Sequence, residues 1–142
     1  MQSTVTLTDG MAFDTEIEGH HFTIDAKAEH GGRDAGPSPK ALMLSALAGC
    51  AAMDVISILR KMRAEPASLA ITASADLTDE HPKTFVGMKV HVVATGGIST
   101  SKLWKAVKLS RDRYCGVAAM LKAHGPIAYE VVLDGEVVPE PE

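Results

Sequence analysis

Aromatic residues are scarce. The 142 residues include three Phe, two Tyr and one Trp, so a core must be assembled from Val, Ile, Leu, Met and Ala. Cysteine is scarcer, with two in the chain. That excludes a disulfide scaffold, and a single domain of this length buries roughly 70% of its unfolded surface, enough to fold without one. There is no basic block, and the formal charge is −4, which leaves a nucleic-acid partner without electrostatic support. The first ten residues, MQSTVTLTDG, lack the basic segment and apolar run of a signal peptide. The expected location is therefore the cytoplasm, where thiols stay reduced and any disulfide is transient. The six histidines show no zinc-ligand spacing, and Gly31-Gly32 and Gly96-Gly97 lack the lysine and spacing of a phosphate loop. No metal and no cofactor are expected.

Strand signals are plentiful. Val5 and Leu7 alternate with threonines, Asp9-Gly10 marks a turn, and Met11, Phe13 and Ile17, then Phe22 and Ile24, continue the period of two. This predicts a three-stranded antiparallel meander with one wet face. Leu69 to Leu77 and Val86 to Ala94 read as two longer strands joined around His81-Pro82, and Ile127 to Leu133 as a last strand. Ser99 or Thr100 can cap a helix whose inner side carries Leu103, Val107 and Tyr114, and a short helical piece follows near Cys115. No repeat or second domain is visible. The expectation is one domain over residues 1–142 with a frayed tail from Gly135.

One apolar run is long: PKALMLSALAGCAAMDVISIL, Pro39 to Leu59, close to the ~20 residues that span a membrane. Lys40, Ser45 and Asp54 interrupt it, which favours a buried helix and no membrane partner. Ser38 is a candidate N-cap with Pro39 in the first helical position, and the helix is expected to reach about Arg63. Apolar nearly all round, it needs cover on most sides, which a second copy of the chain can provide.

This helix carries Cys50. Its apolar surroundings raise a thiol pKa, and Asp54, one turn on, raises it further if charged. Gly49, Ala51 and Ala52 leave room beside the sulfur. Cys115 follows Arg111 and Arg113, which favour thiolate. Each cysteine also reads as a small buried hydrophobe. Asp54, in an apolar helix, requires a partner or protonation, the partner most simply an arginine, a lysine or a backbone donor.

Two segments carry a resemblance. SPKALMLSALAGCAAMDVISILRK resembles the first-cysteine helix of the OsmC/Ohr superfamily, the osmotically induced and organic hydroperoxide resistance proteins, and SRDRYCGVAAML resembles its second-cysteine segment. Order and spacing of elements agree along nearly the whole chain. The resemblance implies an α+β fold with antiparallel sheets packed around a long central cysteine-bearing helix, in an intertwined homodimer. It implies a thiol-dependent peroxidase in which Cys50 attacks an organic hydroperoxide, Cys115 resolves the product as a disulfide, and a dithiol reductant such as a lipoylated protein restores both thiols.

Two family features depart. The superfamily places an arginine in its early strands and a glutamate ten residues before the first cysteine. Here Lys40 takes the glutamate's position and the first arginine is Arg33, in a loop. Arg33, Lys40 and Asp54 are thus the candidate supporting residues. The departures also keep open a second function, a protein without strong peroxidase activity that binds a small apolar ligand at the dimer interface.

Overall fold

The structure is a computed structural model describing residues 1–142. The strands are β1 (Ser3–Asp9), β2 (Ala12–Ile17), β3 (His20–Ile24), β4 (Ser68–Leu77), β5 (Phe85–Thr95), β6 (Ile127–Leu133) and β7 (Glu136–Val137). The helices are α1 (Pro39–Lys61), α2 (Thr100–Leu109) and α3 (Gly116–Lys122). The chain divides into two compact units, Met1–Met43 and Leu44–Glu142, with the boundary inside α1.

The first unit is the expected meander, antiparallel in the order β1-β2-β3. Cross-strand partners Val5 and Thr15, Leu7 and Phe13, Thr15 and Phe22, and Phe13 and Ile24 place the apolar side chains on one face. Within the unit that face is largely uncovered: Val5 is 52% and Leu7 60% exposed. Beyond β3, Asp25 organises the loop. Its carboxylate accepts the N–H groups of Ala26, Arg33 and Ala35 at 2.7, 3.0 and 3.1 Å. These donors, Ala35 foremost, hold its pKa below the ordinary value. The loop doubles back tightly, so a Cβ on Gly32 would collide with the Ala26 carbonyl and one on Gly36 with that of Thr23.

In the second unit the sheet order is β4-β5-β6-β7. One pairing breaks the antiparallel expectation: β5 and β6 run parallel, Val90 beside Tyr129 and Val92 beside Val131. The cause is the connection, since α2 and α3 lie between these strands in the chain and a crossover of that length delivers a parallel neighbour. The inward set of β5 also differs from strict alternation. Gly87, with φ of +60°, sits where three steps on β5 match two on β4, between the Ser74–Lys89 and Asp76–Val86 pairs. This glycine bulge reverses the parity, so that Phe85 is buried and Val86 is exposed.

On α1 the residues Leu47, Ala51, Val55 and Leu59 are buried. Their spacing of four makes one stripe, and Leu47, Val55 and Leu59 join Val90, Val92 and Val131 in the core cluster with Leu103, Trp104 and Val107 of α2. The helix ends two residues before Arg63. That residue adopts φ of +50°, and the Ala64 N–H returns to the Leu59 carbonyl at 3.0 Å and the Arg63 N–H to Arg60 at 3.0 Å. This is a Schellman closure with arginine in place of the usual glycine, and buried Ala64 packs in the same cluster as Leu59. By length and hydropathy α1 passes for a membrane span, and only 22% of its most apolar stretch is buried. Met53 is the most exposed large apolar residue of the helix, at 74%.

Ser99 caps α2, its hydroxyl accepting the Lys102 N–H at 3.3 Å. Tyr114 lies outside the core, over half exposed, because residues 110–114 form a π-type turn that shifts the helical phase after Leu109. The tail from Gly135, expected to fray, is tied down. Asp134 and Gly135 turn with positive φ, β7 pairs with β6, and the Trp104 indole N–H donates to the Val138 carbonyl at 3.0 Å. Arg111 and Lys108 then grip Glu140 at 2.9 and 3.1 Å.

Candidate active site

The two cysteines meet. Cys50 comes from the middle of α1, one row round from the buried stripe, and is half-buried; Cys115 is buried at 4% exposure. The sulfurs of both and a carboxylate oxygen of Asp54 lie within 4.8 Å of one another. Both thiols are free.

Local structure explains how Cys115 arrives. The π-type turn adds a residue relative to α2, and Cys115 then extends (φ −72°, ψ 98°) before α3 begins. It is the N-cap of α3, and its sulfur accepts the Ala118 N–H at 3.3 Å. The same turn presents Ser110, almost fully buried, whose hydroxyl donates to Asp54 Oδ2 at 3.0 Å. The partner that Asp54 requires is therefore a serine hydroxyl rather than an arginine, lysine or backbone donor. This bond ties α1 to the segment carrying the second thiol. A serine five residues before a cysteine gives no signal of it in the sequence.

Electrostatics at Cys115 run against the sequence expectation. Burial first, then the neighbouring Cys50 thiol, push its pKa up to about 11, with a smaller contribution from the Asp54 charge; the Ala118 N–H opposes them. The nearby arginines do not reverse this. Arg111 is held by Asp112 at 2.8 Å and Glu140 at 2.9 Å, and lies 5.7 Å from the Tyr129 ring centre. Arg113 lies over Tyr114. Tyr129 borders the thiols: burial, and next the Cys115 charge, raise its hydroxyl to about 12.

Arg33 belongs to the first unit and is paired there with Asp9 at 2.6 Å. Lys40 is exposed on the first turn of α1, nearly three turns before Cys50, and forms no ion pair. Gly49 faces open space. The site in the second unit thus consists of two thiols, a carboxylate, a serine hydroxyl and a bordering tyrosine.

Residues 31–130 match the family of OsmC-like proteins. Protein YhfA of Escherichia coli K12 is 34% identical over 136 residues, 93% of this chain and 98% of that protein. Among solved structures, an OsmC-like protein from Mycoplasma pneumoniae superposes with a TM-score of 0.80 at 17% identity, covering 93% of this chain and 95% of that one. An organic hydroperoxide resistance protein OsmC, a predicted redox protein from Legionella pneumophila, superposes at 0.67 with 15% identity over 93% and 97%. At these identities the two structures establish a shared α+β fold.

Proposed function

Because this chain belongs to the OsmC-like protein family, we propose that it is a thiol-dependent peroxidase acting on organic hydroperoxides through Cys50 and Cys115. The observation that carries this reading is the approach of the only two thiols to within 4.8 Å, from segments 65 positions apart in sequence. A disulfide needs the sulfurs to close from within 4.8 Å to ~2.05 Å.

The chemistry follows from the two environments. Cys50, the more accessible thiol, is the attacking group. As thiolate it takes the outer peroxide oxygen; the O–O bond breaks, the alkoxide leaves and gains a proton as alcohol, and Cys50 becomes a sulfenic acid. Cys115 then attacks that sulfur, its proton and the sulfenic hydroxyl leaving as water, and a disulfide remains. A dithiol reductant returns both thiols by exchange. Asp54 is a positioning residue: through Ser110 it sets the spacing between the two segments. Its charge contributes to the raised Cys115 value, so the disulfide-forming step is expected to be slow. The apolar residues around Cys50 favour an organic peroxide over hydrogen peroxide.

A second copy of the chain completes the molecule in this reading. Support comes from the exposed apolar face of the meander and, separately, from the uncovered apolar sides of α1.

The test is a free-thiol count on reduced protein after one equivalent of cumene hydroperoxide, compared with hydrogen peroxide and buffer. Two thiols per chain should disappear, faster with the organic peroxide. Cys50→Ser should abolish consumption, and Cys115→Ser should stop at a sulfenic acid trapped by dimedone. Thiols that survive cumene hydroperoxide would remove the peroxidase reading and turn attention to an apolar ligand.

A further inference from the structure

We propose that the reduced site binds one thiophilic divalent cation through Cys50, Cys115 and Asp54, and that this binding and the disulfide exclude each other. Spacing along the chain gave no hint of a metal centre, because the donors belong to α1 and to a segment more than fifty residues later. Folding gathers them.

Four observations support the site. First, two sulfurs and a carboxylate oxygen lie within 4.8 Å of one another. In a tetrahedral zinc site, bonds of ~2.3 Å to sulfur and ~2.1 Å to oxygen place donors roughly 3.5–3.8 Å apart. The three donors therefore need to close by roughly 1.0–1.3 Å at most. Second, the carboxylate is already oriented. Ser110, itself almost fully buried, holds Asp54 Oδ2 at 3.0 Å, the outer-layer hydrogen bond typical of a ligating carboxylate. Third, the local charge is one-sided. Three groups that become or are anionic converge, no lysine or arginine pairs with Asp54, and Arg111 is engaged by Asp112 and Glu140. That arrangement suits a cation, which offsets all three charges. Fourth, the donor set selects the metal: two thiolates favour Zn²⁺, Cd²⁺ or Co²⁺ over Mg²⁺ or Ca²⁺.

On binding, each thiol exchanges its proton for a metal–sulfur bond, so two protons leave per cation. Three protein donors leave a fourth position for water. Formation of the Cys50–Cys115 disulfide consumes two of the three donors, so oxidation releases the metal, and a bound metal shields both sulfurs from peroxide.

Metal binding is read without peroxide turnover, so its failure is distinguishable from failure of the peroxidase reading. Reduced protein is titrated with Co²⁺. The expected result is saturation at one ion per chain with thiolate-to-cobalt charge-transfer bands and tetrahedral visible bands, all displaced by Zn²⁺. Cys50→Ser and Cys115→Ser should each cut the charge-transfer intensity by about half or more. Asp54→Asn and Ser110→Ala should each weaken binding roughly tenfold or more. Wild-type protein with alkylated or disulfide-bonded cysteines, a control that needs no variant, should show no bands. Absence of thiolate bands in reduced wild-type protein at excess Co²⁺ would overturn the proposal, as would bands that survive alkylation or are unchanged in correctly folded Asp54→Asn.

Discussion

Removing the Asp54 charge should make Cys115 more acidic. The perturbation is Asp54→Asn, which keeps the shape and an acceptor for the Ser110 hydroxyl while deleting the negative charge. Two unit charges 4.8 Å apart, the outer limit of the cluster, interact with roughly 0.9 kcal/mol in water and roughly 3.5 kcal/mol at an effective dielectric of 20. Asp54 is half-buried and its charge is partly spread into the Ser110 hydrogen bond, and burial outweighs it as a cause of the raised Cys115 value. The low end therefore applies. One pKa unit corresponds to ~1.36 kcal/mol, so the Cys115 value should fall by roughly 0.6 unit. At any pH well below the Cys115 pKa, the thiolate fraction rises roughly fourfold. The assay is thiolate ultraviolet absorbance against pH, with Cys50→Ser as the background in both proteins so that a single thiol titrates. An unchanged or higher Cys115 pKa in Asp54→Asn would refute the reasoning, since the carboxylate would then not act on the sulfur through its charge.

Other consequences are testable. In wild-type protein the disulfide-forming step should accelerate with pH by about tenfold per unit below about 11, because Cys115 must lose its proton to attack; a flat profile in stopped-flow would contradict this. Leu59→Ala should lower stability by about 2–5 kcal/mol in urea unfolding, since Leu59 is fully buried and closes the end of α1. Deleting residues 136–142 should cost about 1–3 kcal/mol by leaving the Trp104 indole N–H without the Val138 carbonyl; an unchanged urea midpoint would show that the tail contributes nothing. The Asp25 pKa is lowered in the fold, so its contribution is present above the ordinary carboxylate value of 3.8 and is lost as pH falls through the lower folded value. Asp25→Asn should accordingly reduce amide protection at Arg33 and Ala35 near neutral pH, and equal protection would rule this out. If a second copy covers α1 as proposed, wild-type protein should sediment at a two-chain mass and Met53→Lys at a one-chain mass; a one-chain wild-type mass would refute the pairing, and a two-chain Met53→Lys mass would place the contact away from Met53.

Much of this architecture is legible in the amino-acid order because its causes are local. A period of two marked the strands, Ser99 or Thr100 marked a cap, and the long run around Cys50 marked α1. The same locality explains the failures. Alternation alone cannot anticipate the bulge at Gly87, which turned Phe85 inward and Val86 outward. Nor can it foresee the π-type turn that moved Tyr114 out of the core, or the Trp104 and Glu140 contacts that hold the tail.

The candidate site divides the same way. Residue types and their neighbours were enough to single out Cys50, Cys115 and Asp54, and to identify a family whose chemistry uses two thiols. They could not place Ser110 against Asp54, divert Arg111 from the thiols to Asp112, Glu140 and Tyr129, or bury Cys115 deeply enough to raise its pKa. Periodicity and capping depend on neighbours a few positions away, whereas desolvation and charge pairing depend on what folding brings near from dozens of positions off. The identity of the candidate groups is therefore a property of the chain, and their acidity and mutual distance are properties of the packing.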